Sequence, residues 1–251
     1  MEHTNNPSTS VADPAILGPG TLDMALPLVQ AVAVQPGMRV LEVGGGTGQV
    51  ATILAQAFDV TVFTLEPWHG GEDIQARAAA AGVGDRVIAL TSTAQRLPFA
   101  ANTFDAVLSI NSFETIGPFE RGGDERPAAL AEMVRVARPG ARVGIAEPMC
   151  LPVPIPAEIA ALDEQGDLRF QQCFRTVAWN TALFERGGLR VVEEYYFPEA
   201  RRWWLAYEAQ ATQPERAVER ALILRDNGRW LSLGKRQDSE RNQEAARVSL
   251  R

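Results

Sequence analysis

Short apolar runs alternate with longer amphipathic ones along most of the chain. Arg39–Val43 (RVLEV) is a compact apolar run bounded by the turn QPGM and by a glycine-rich stretch, which predicts a buried strand. QVATILAQA (49–57) follows with apolar residues at helical spacing. The rhythm then repeats: VTVFTLE (60–66) as strand, IQARAAAAG (74–82) as helix ending at glycine, RVIALTS (86–92) and FDAVLSIN (104–111) as strands. PAALAEMVRVAR (127–138) reads as a helix stopped by Pro139-Gly140, and ARVGIAEP (141–148) as a fifth strand. Upstream, TLDMALPLVQAVAV (21–34) has helical spacing. Downstream, LRVVEEYYF (189–197), PERAVERALILRDN (214–227) and GRWLSLGKR (228–236) read as strand, helix and closing strand. Strands that alternate with helices predict a doubly wound α/β fold on a mostly parallel sheet.

Three stretches break the rhythm. Residues 1–20, rich in Pro, Ser, Thr, Asn and Gly, are expected to be a flexible tail or flap, and the polar residues 237–251 a frayed tail. Between them, 21–236 is expected to form a single domain. The connection 149–188 is longer than an ordinary loop of this fold, and it leaves the carboxyl edge of the sheet, where ligands bind. It is expected to be a helical substrate lid.

Composition narrows the choices. The 251 residues fit one domain with an added cap, and 46% apolar residues can bury a core without staples. The formal net charge is −7, and no run of Lys or Arg builds a basic face, which disfavours nucleic acid as a partner. Cys150 and Cys173 form no CxxC pair, and His3 and His69 are the only histidines, too few soft ligands for a structural zinc site. The start MEHTNNPSTS lacks an apolar signal core, and no apolar stretch of about 18 residues occurs, so a cytoplasmic protein without membrane insertion is expected.

The chemistry concentrates at Leu41-Glu42-Val43-Gly44-Gly45-Gly46-Thr47-Gly48, between a strand and a helix. Glycines there permit positive φ and let a ligand approach the backbone. A dinucleotide fingerprint, G-x-G-x-x-G, fits Gly44 and Gly46 but fails at Gln49. Glu42 at the strand end would repel a pyrophosphate and suits an amino-acid ammonium, which S-adenosylmethionine (SAM) carries and NAD does not. Glu66 closes the second strand, where a carboxylate can accept two ribose hydroxyls.

The stretches VLEVGGGTG, TLEP, AQRLPFAANTFDAVLS and EMVRVARPGARVGIAEP, in this order and spacing, resemble the class I SAM-dependent methyltransferases, in particular the small-molecule branch that includes the ubiquinone/menaquinone-biosynthesis type. The resemblance covers about residues 36–148. It implies a Rossmann-like sheet of seven strands with the last antiparallel, and SAM as cofactor, leaving S-adenosylhomocysteine (SAH) as product. It implies that Glu42, Gly44, Gly45, Gly46 and Gly48 line the methionine end, that Glu66 holds the ribose, and that Pro67 lies against the adenine. Thr93-Ala94 stands where the family has an Asp-Ala pair at the adenine, so a neutral hydroxyl replaces a charge. Ser109, Ile110 and Asn111 follow the fourth strand, where the family lines the sulfonium pocket.

Methyl transfer by direct displacement needs positioning, and it needs a base only if the acceptor must lose a proton. Base candidates are His69 after the second strand, Glu114 beyond the fourth and Glu147 at the end of the fifth. Phe113, Phe174 and Trp179 are candidate acceptor contacts, with Phe119 and Phe170 nearby in sequence. The expected partner is a small-molecule acceptor, with O, N, S and C all open. Two rivals stand beside this reading. One is a SAM-binding protein that transfers no methyl. The other is a NAD-dependent oxidoreductase, which the missing third glycine disfavours.

Overall fold

A computed structural model describes residues 18–68, 70–117, 123–157, 160–161, 170–210 and 231–241. The elements run α1 (Thr21–Ala31), β1 (Arg39–Val43), α2 (Gln49–Phe58), β2 (Thr61–Leu65), α3 (Gly71–Ala80), β3 (Val87–Leu90), β4 (Phe104–Ile110), a 3₁₀ turn (Phe113–Thr115), α4 (Arg126–Val136), β5 (Ala137–Cys150), α5 (Phe170–Cys173), α6 (Val177–Arg186), β6 (Leu189–Tyr196), α7 (Ala200–Gln210) and β7 (Leu231–Arg241). The tail expected over residues 1–20 falls mostly, and the helix expected over 214–227 wholly, outside the described residues.

The strands lie in one sheet in the order β3-β2-β1-β4-β5-β7-β6. β1 pairs in parallel with β2 and β4, β2 with β3, and β4 with β5. β7 pairs antiparallel with both β5 and β6. Residues 237–241, expected in the frayed tail, are part of β7: their backbone pairs with β5 and β6, which fixes them despite their polar sequence. The order reverses between β1 and β4, which opens a crevice at the carboxyl edge of these two central strands.

Period-2 alternation distributes the core over both faces of the sheet. On β1, Val40 packs with Met24, Leu28, Leu54 and Ile74 of α1, α2 and α3, whereas Leu41 and Val43 pack with Leu130 and Met133 of α4 and Phe184 of α6. β1 is thus buried on both sides from Val40 to Val43, the reason its sequence reads as an unbroken apolar run.

Two expectations change in detail. α4 stops at Val136, because Ala137 already pairs with Phe104 on β4, and Pro139-Gly140 falls in an irregularity of β5 where the register shifts between Phe104 and Ala106. The end of the presumed lid is also part of the sheet layer. Val177, Leu183 and Phe184 of α6 belong to the core beside β5, so α6 is the crossover helix that leads into β6.

Candidate active site

At the carboxyl end of β1 the chain turns through Gly44, Gly46 and Gly48, with φ of 81°, 53° and 77°. Leu65 O accepts from both Gly44 N–H and Gly45 N–H at 2.9 Å, which ties the turn to β2. A Cβ on Gly44 would stand 1.7 Å from Ser112 Oγ, and one on Gly45 1.8 Å from Thr64 Oγ1, so close approach as well as φ demands glycine.

Two buried carboxyl groups flank this turn. Glu42 Oε2 accepts from Thr64 Oγ1 at 2.7 Å. Burial pushes the Glu42 carboxyl up to about 7; the Thr64 bond opposes this, and the charge of Glu66 adds to it. Glu66 takes two backbone donors, Gly46 N–H on Oε2 and Trp68 N–H on Oε1, each at 2.8 Å. It therefore braces the turn directly, and each oxygen keeps a lone pair for a ligand.

The crevice has two lobes that meet at Gly44, Trp68, Ser112 and Thr115. The first, about 200 Å³, is lined by Glu42, Gly45, Gly46, Glu66, Ile110 and Asn111, with the first residues of α2 at its floor. The second, about 150 Å³, is lined by Pro67, Thr93 and Ala94. Asn111 stands at φ 49° and donates its Nδ2 to Pro19 O at 3.0 Å and to Thr21 Oγ1 at 2.6 Å, which fastens the start of α1 to the end of β4. Its Oδ1 is buried and has no donor among the described residues.

Most of the expected cofactor residues therefore meet in one crevice. Gly48 serves as the N-cap of α2, with Thr52 N–H and Thr52 Oγ1 both donating to its carbonyl. Ser109 is a correction. Its side chain is fully buried and donates to Val43 O at 2.8 Å, so it links β4 to β1 and lines neither lobe.

The three aromatic acceptor candidates are also corrected, because they do not converge. Phe113 is fully buried, 6.2 Å from Phe184 on the α4 side of the sheet. Phe174 packs on the opposite side near Trp204, at 6.1 Å. Trp179 carries the guanidinium groups of Arg126 and Arg175 at 4.5 and 5.1 Å from its ring. Period-2 alternation and helix phase scatter rings that stand near one another in sequence. His69, Phe119 and the side chain of Phe170 lie outside the described residues.

Glu114 and Glu147, each named on its own as a base candidate, come together. Both are buried, the charge of Glu114 helps raise the Glu147 carboxyl, and Asn180 Nδ2 lies 3.4 Å from Glu147 Oε1. Arg126, buried at the start of α4, is held by Asp124 and donates to the carbonyls of Gln172 and Cys173 at 2.9 Å each. Sequence reasoning missed Arg126 and Asn180, as well as Ser112 and Thr115 on the shared wall. The only signal for Ser112 and Thr115 was their place just after β4.

Residues 41–145 match the methyltransferase domain family, and residues 3–66 match the protein-L-isoaspartate(D-aspartate) O-methyltransferase family. Among curated proteins, the chain is 36% identical over 121 residues to the ubiquinone/menaquinone biosynthesis C-methyltransferase UbiE of Burkholderia vietnamiensis (strain G4 / LMG 22486), covering 45% of this chain and 44% of that protein. It thus matches under half the length of that relative. Among solved structures, a geranyl diphosphate methyltransferase in complex with SAM superposes with a TM-score of 0.71 at 17% identity, over 87% of this chain and 84% of that one. The [4+2]-cyclase SpnF gives the same TM-score and identity over 87% and 80%. These two likenesses establish the fold, which hosts different reactions.

Proposed function

We propose that the chain binds SAM in the two-lobed crevice and transfers its methyl group to a small-molecule acceptor. The single observation that carries this reading is that one lobe brings together Glu42 and Asn111, whose Oδ1 is buried without a donor among the described residues. A buried carboxyl and a buried orphan acceptor call for a ligand rich in N–H donors. An amino-acid ammonium supplies three. The start of α2 at the same lobe suits the adjoining carboxylate, because helix N-termini present unpaired N–H groups. A pyrophosphate, acceptor-only and anionic, fits Glu42 poorly.

In this reading Glu42 and Asn111 hold the ammonium, and Glu66 accepts from the ribose hydroxyls with its free lone pairs. Pro67, Thr93 and Ala94 face the adenine, with Trp68 at the boundary of the lobes. Bound there, SAM supplies an electrophilic methyl group on a sulfonium whose leaving group is a neutral thioether. The chain's own work is to fix the reactants in line, which makes the encounter effectively unimolecular.

Parallel calorimetric titrations with SAM, SAH and NADH test the reading, followed by an assay of SAH release against a panel of small acceptors. Micromolar binding of both adenosyl ligands, no binding of NADH, and SAH release with at least one acceptor are expected. Binding of NADH alone would overturn it.

A further inference from the structure

The first lobe has one wall that does not belong to the sheet. Gly18 and Thr21, at the start of α1, line it together with Glu42 and Asn111. From Met24 onward α1 is anchored in the core by Met24, Leu28 and Val29, all buried. Residues 18–21 lie ahead of that anchor. Gly20 stands at φ 61°, and no side chain caps the helix. Among the described residues, the hydrogen bonds that join residues 18–21 to anything beyond α1 come from one group, Asn111 Nδ2, which donates to Pro19 O and to Thr21 Oγ1. Thr21 Oγ1 in turn donates to Gly18 O at 2.9 Å. A Cβ on Gly18 would stand 2.6 Å from Asn111 Nδ2, so the backbone of this segment lies directly against the amide.

The two ends of that amide have different tasks. Pro19 O can only accept, so the end that faces it is the NH2 group. Both hydrogens of Nδ2 are then spent on residues 18–21, whereas Oδ1 is buried without a donor among the described residues. The Asn111 backbone is held by its bond to Ala146 O at 2.9 Å, so the amide turns only about its side-chain bonds. A donor on Oδ1 fixes the plane that aims Nδ2 at Pro19 and Thr21. It also polarises the amide, so that Nδ2 donates more strongly. A ligand that leaves Oδ1 bare does neither.

We propose that residues 18–21 are a strap along the amino-acid end of the cofactor, locked by the cofactor itself through Asn111. The proposal rests on the methyltransferase reading above, in which the ammonium donates to Asn111 Oδ1. Hydrogen bonds then run in one direction, from the ammonium to Asn111, from Asn111 to Thr21 and from Thr21 to Gly18. The strap stays shut while the amino-acid end is in place, and dissociation of the cofactor waits for it to open. Since the ammonium meets a correctly aimed amide only in the shut form, the ligand shifts the strap by its differential affinity for that form. An adenosine derivative without the amino-acid group leaves the strap unlocked.

Hydrogen exchange and ligand-release kinetics on the full chain decide it. The probes are SAH and 5′-methylthioadenosine, which lacks the amino-acid group. Saturating SAH should slow exchange in the peptide spanning residues 18–26 by about tenfold or more, and saturating methylthioadenosine should leave it within about twofold. Equal protection by the two ligands, or none by bound SAH, would overturn the strap. Asn111→Asp keeps an oxygen for the ammonium and tolerates the positive φ, but it sets a second oxygen against Pro19 O. A residue that merely holds the ammonium would bind SAH as tightly or more tightly after this change. The strap instead predicts that SAH dissociates about tenfold faster or more, and that exchange over residues 18–26 no longer responds to it. Thr21→Val, which leaves Asn111 intact, should quicken dissociation about two- to tenfold. Unchanged dissociation in both variants would overturn the lock. Failure of wild type to bind SAH at all would instead remove the methyltransferase reading. Circular dichroism of the ligand-free variants separates loss of folding from loss of the lock, and the comparison of the two ligands in wild type needs no variant.

Discussion

At the residue scale, two carboxyl groups with different surroundings line the proposed cofactor site. Glu42 is pushed up to about 7, chiefly by burial. An ammonium ligand favours the ionised form, so it must release the proton that Glu42 holds below pH 7. SAM affinity is therefore expected to fall as pH drops from 7 to 5.5, approaching tenfold per pH unit. It should fall again above about pH 8, where an α-amino group deprotonates. Calorimetry in buffers of different ionisation heats should show proton release near pH 6.5, and a flat affinity from 5.5 to 7.5 would place the ammonium elsewhere. Glu66 differs in that two backbone donors already fix it. Glu66→Ala should weaken SAM by about 1–3 kcal/mol, the range for a hydrogen bond to a charged group, and an unchanged Kd would take Glu66 off the ribose. Both residues stood out in the sequence by their strand-end positions, and both line the crevice. The bracing of the turn by Glu66 was not legible there, because nothing local in the chain shows that Gly46 and Glu66 meet.

At the scale of elements, the glycine turn illustrates what a motif conceals. The pattern Gly44-Gly45-Gly46-Thr47-Gly48 pointed to ligand approach, but the nearest obstacle to a side chain at Gly44 is Ser112. Gly44→Ala should therefore abolish measurable SAM binding, and the double variant Gly44→Ala/Ser112→Gly should recover most of it. The residual deficit would be on the order of 1 kcal/mol, from alanine at positive φ. Failure of the second substitution to rescue would mean that the added methyl meets the cofactor itself. The lid region was the least legible element. Its apolar spacing could not separate a cap from a crossover helix, because both bury one stripe. What distinguishes them is the packing of Val177, Leu183 and Phe184 of α6 beside β5, while Arg126 separately joins α4 to the carbonyls of Gln172 and Cys173 on α5. Arg126→Met leaves Asp124 without its partner and those carbonyls without a donor. A loss of about 1–3 kcal/mol in urea unfolding is expected, as for buried carbonyls left without a donor. A change below 1 kcal/mol would show that α5 is held by other contacts.

At the scale of the whole molecule, the site opposes the stability of the fold that builds it. Strand order, the crevice at the β1/β4 reversal and the two-sided core follow from alternating apolar runs, which is why the architecture could be read from the chain. The cost of the buried acids could not, because it depends on which carboxyls the packing seals from water. Glu42, Glu114 and Glu147 all have folded-state values raised above the unfolded value of a glutamate. A group raised on folding stabilises the protonated protein, so its contribution is full below about pH 4.3 and is lost as pH rises towards the folded value. For Glu42 alone the loss is on the order of 3 kcal/mol, or several degrees of melting temperature in a protein of this size. The ligand-free protein should accordingly melt lower at pH 8 than at pH 5.5. The net charge of −7 adds general repulsion in the same direction, so Glu42→Gln is the control, and it should narrow the gap. Saturating SAM should narrow it as well, because the ammonium gives the ionised Glu42 a partner. A ligand-free melting temperature that rises from pH 5.5 to 8 would show that these carboxyls ionise without penalty. It would thereby remove the physical basis for the ammonium subsite.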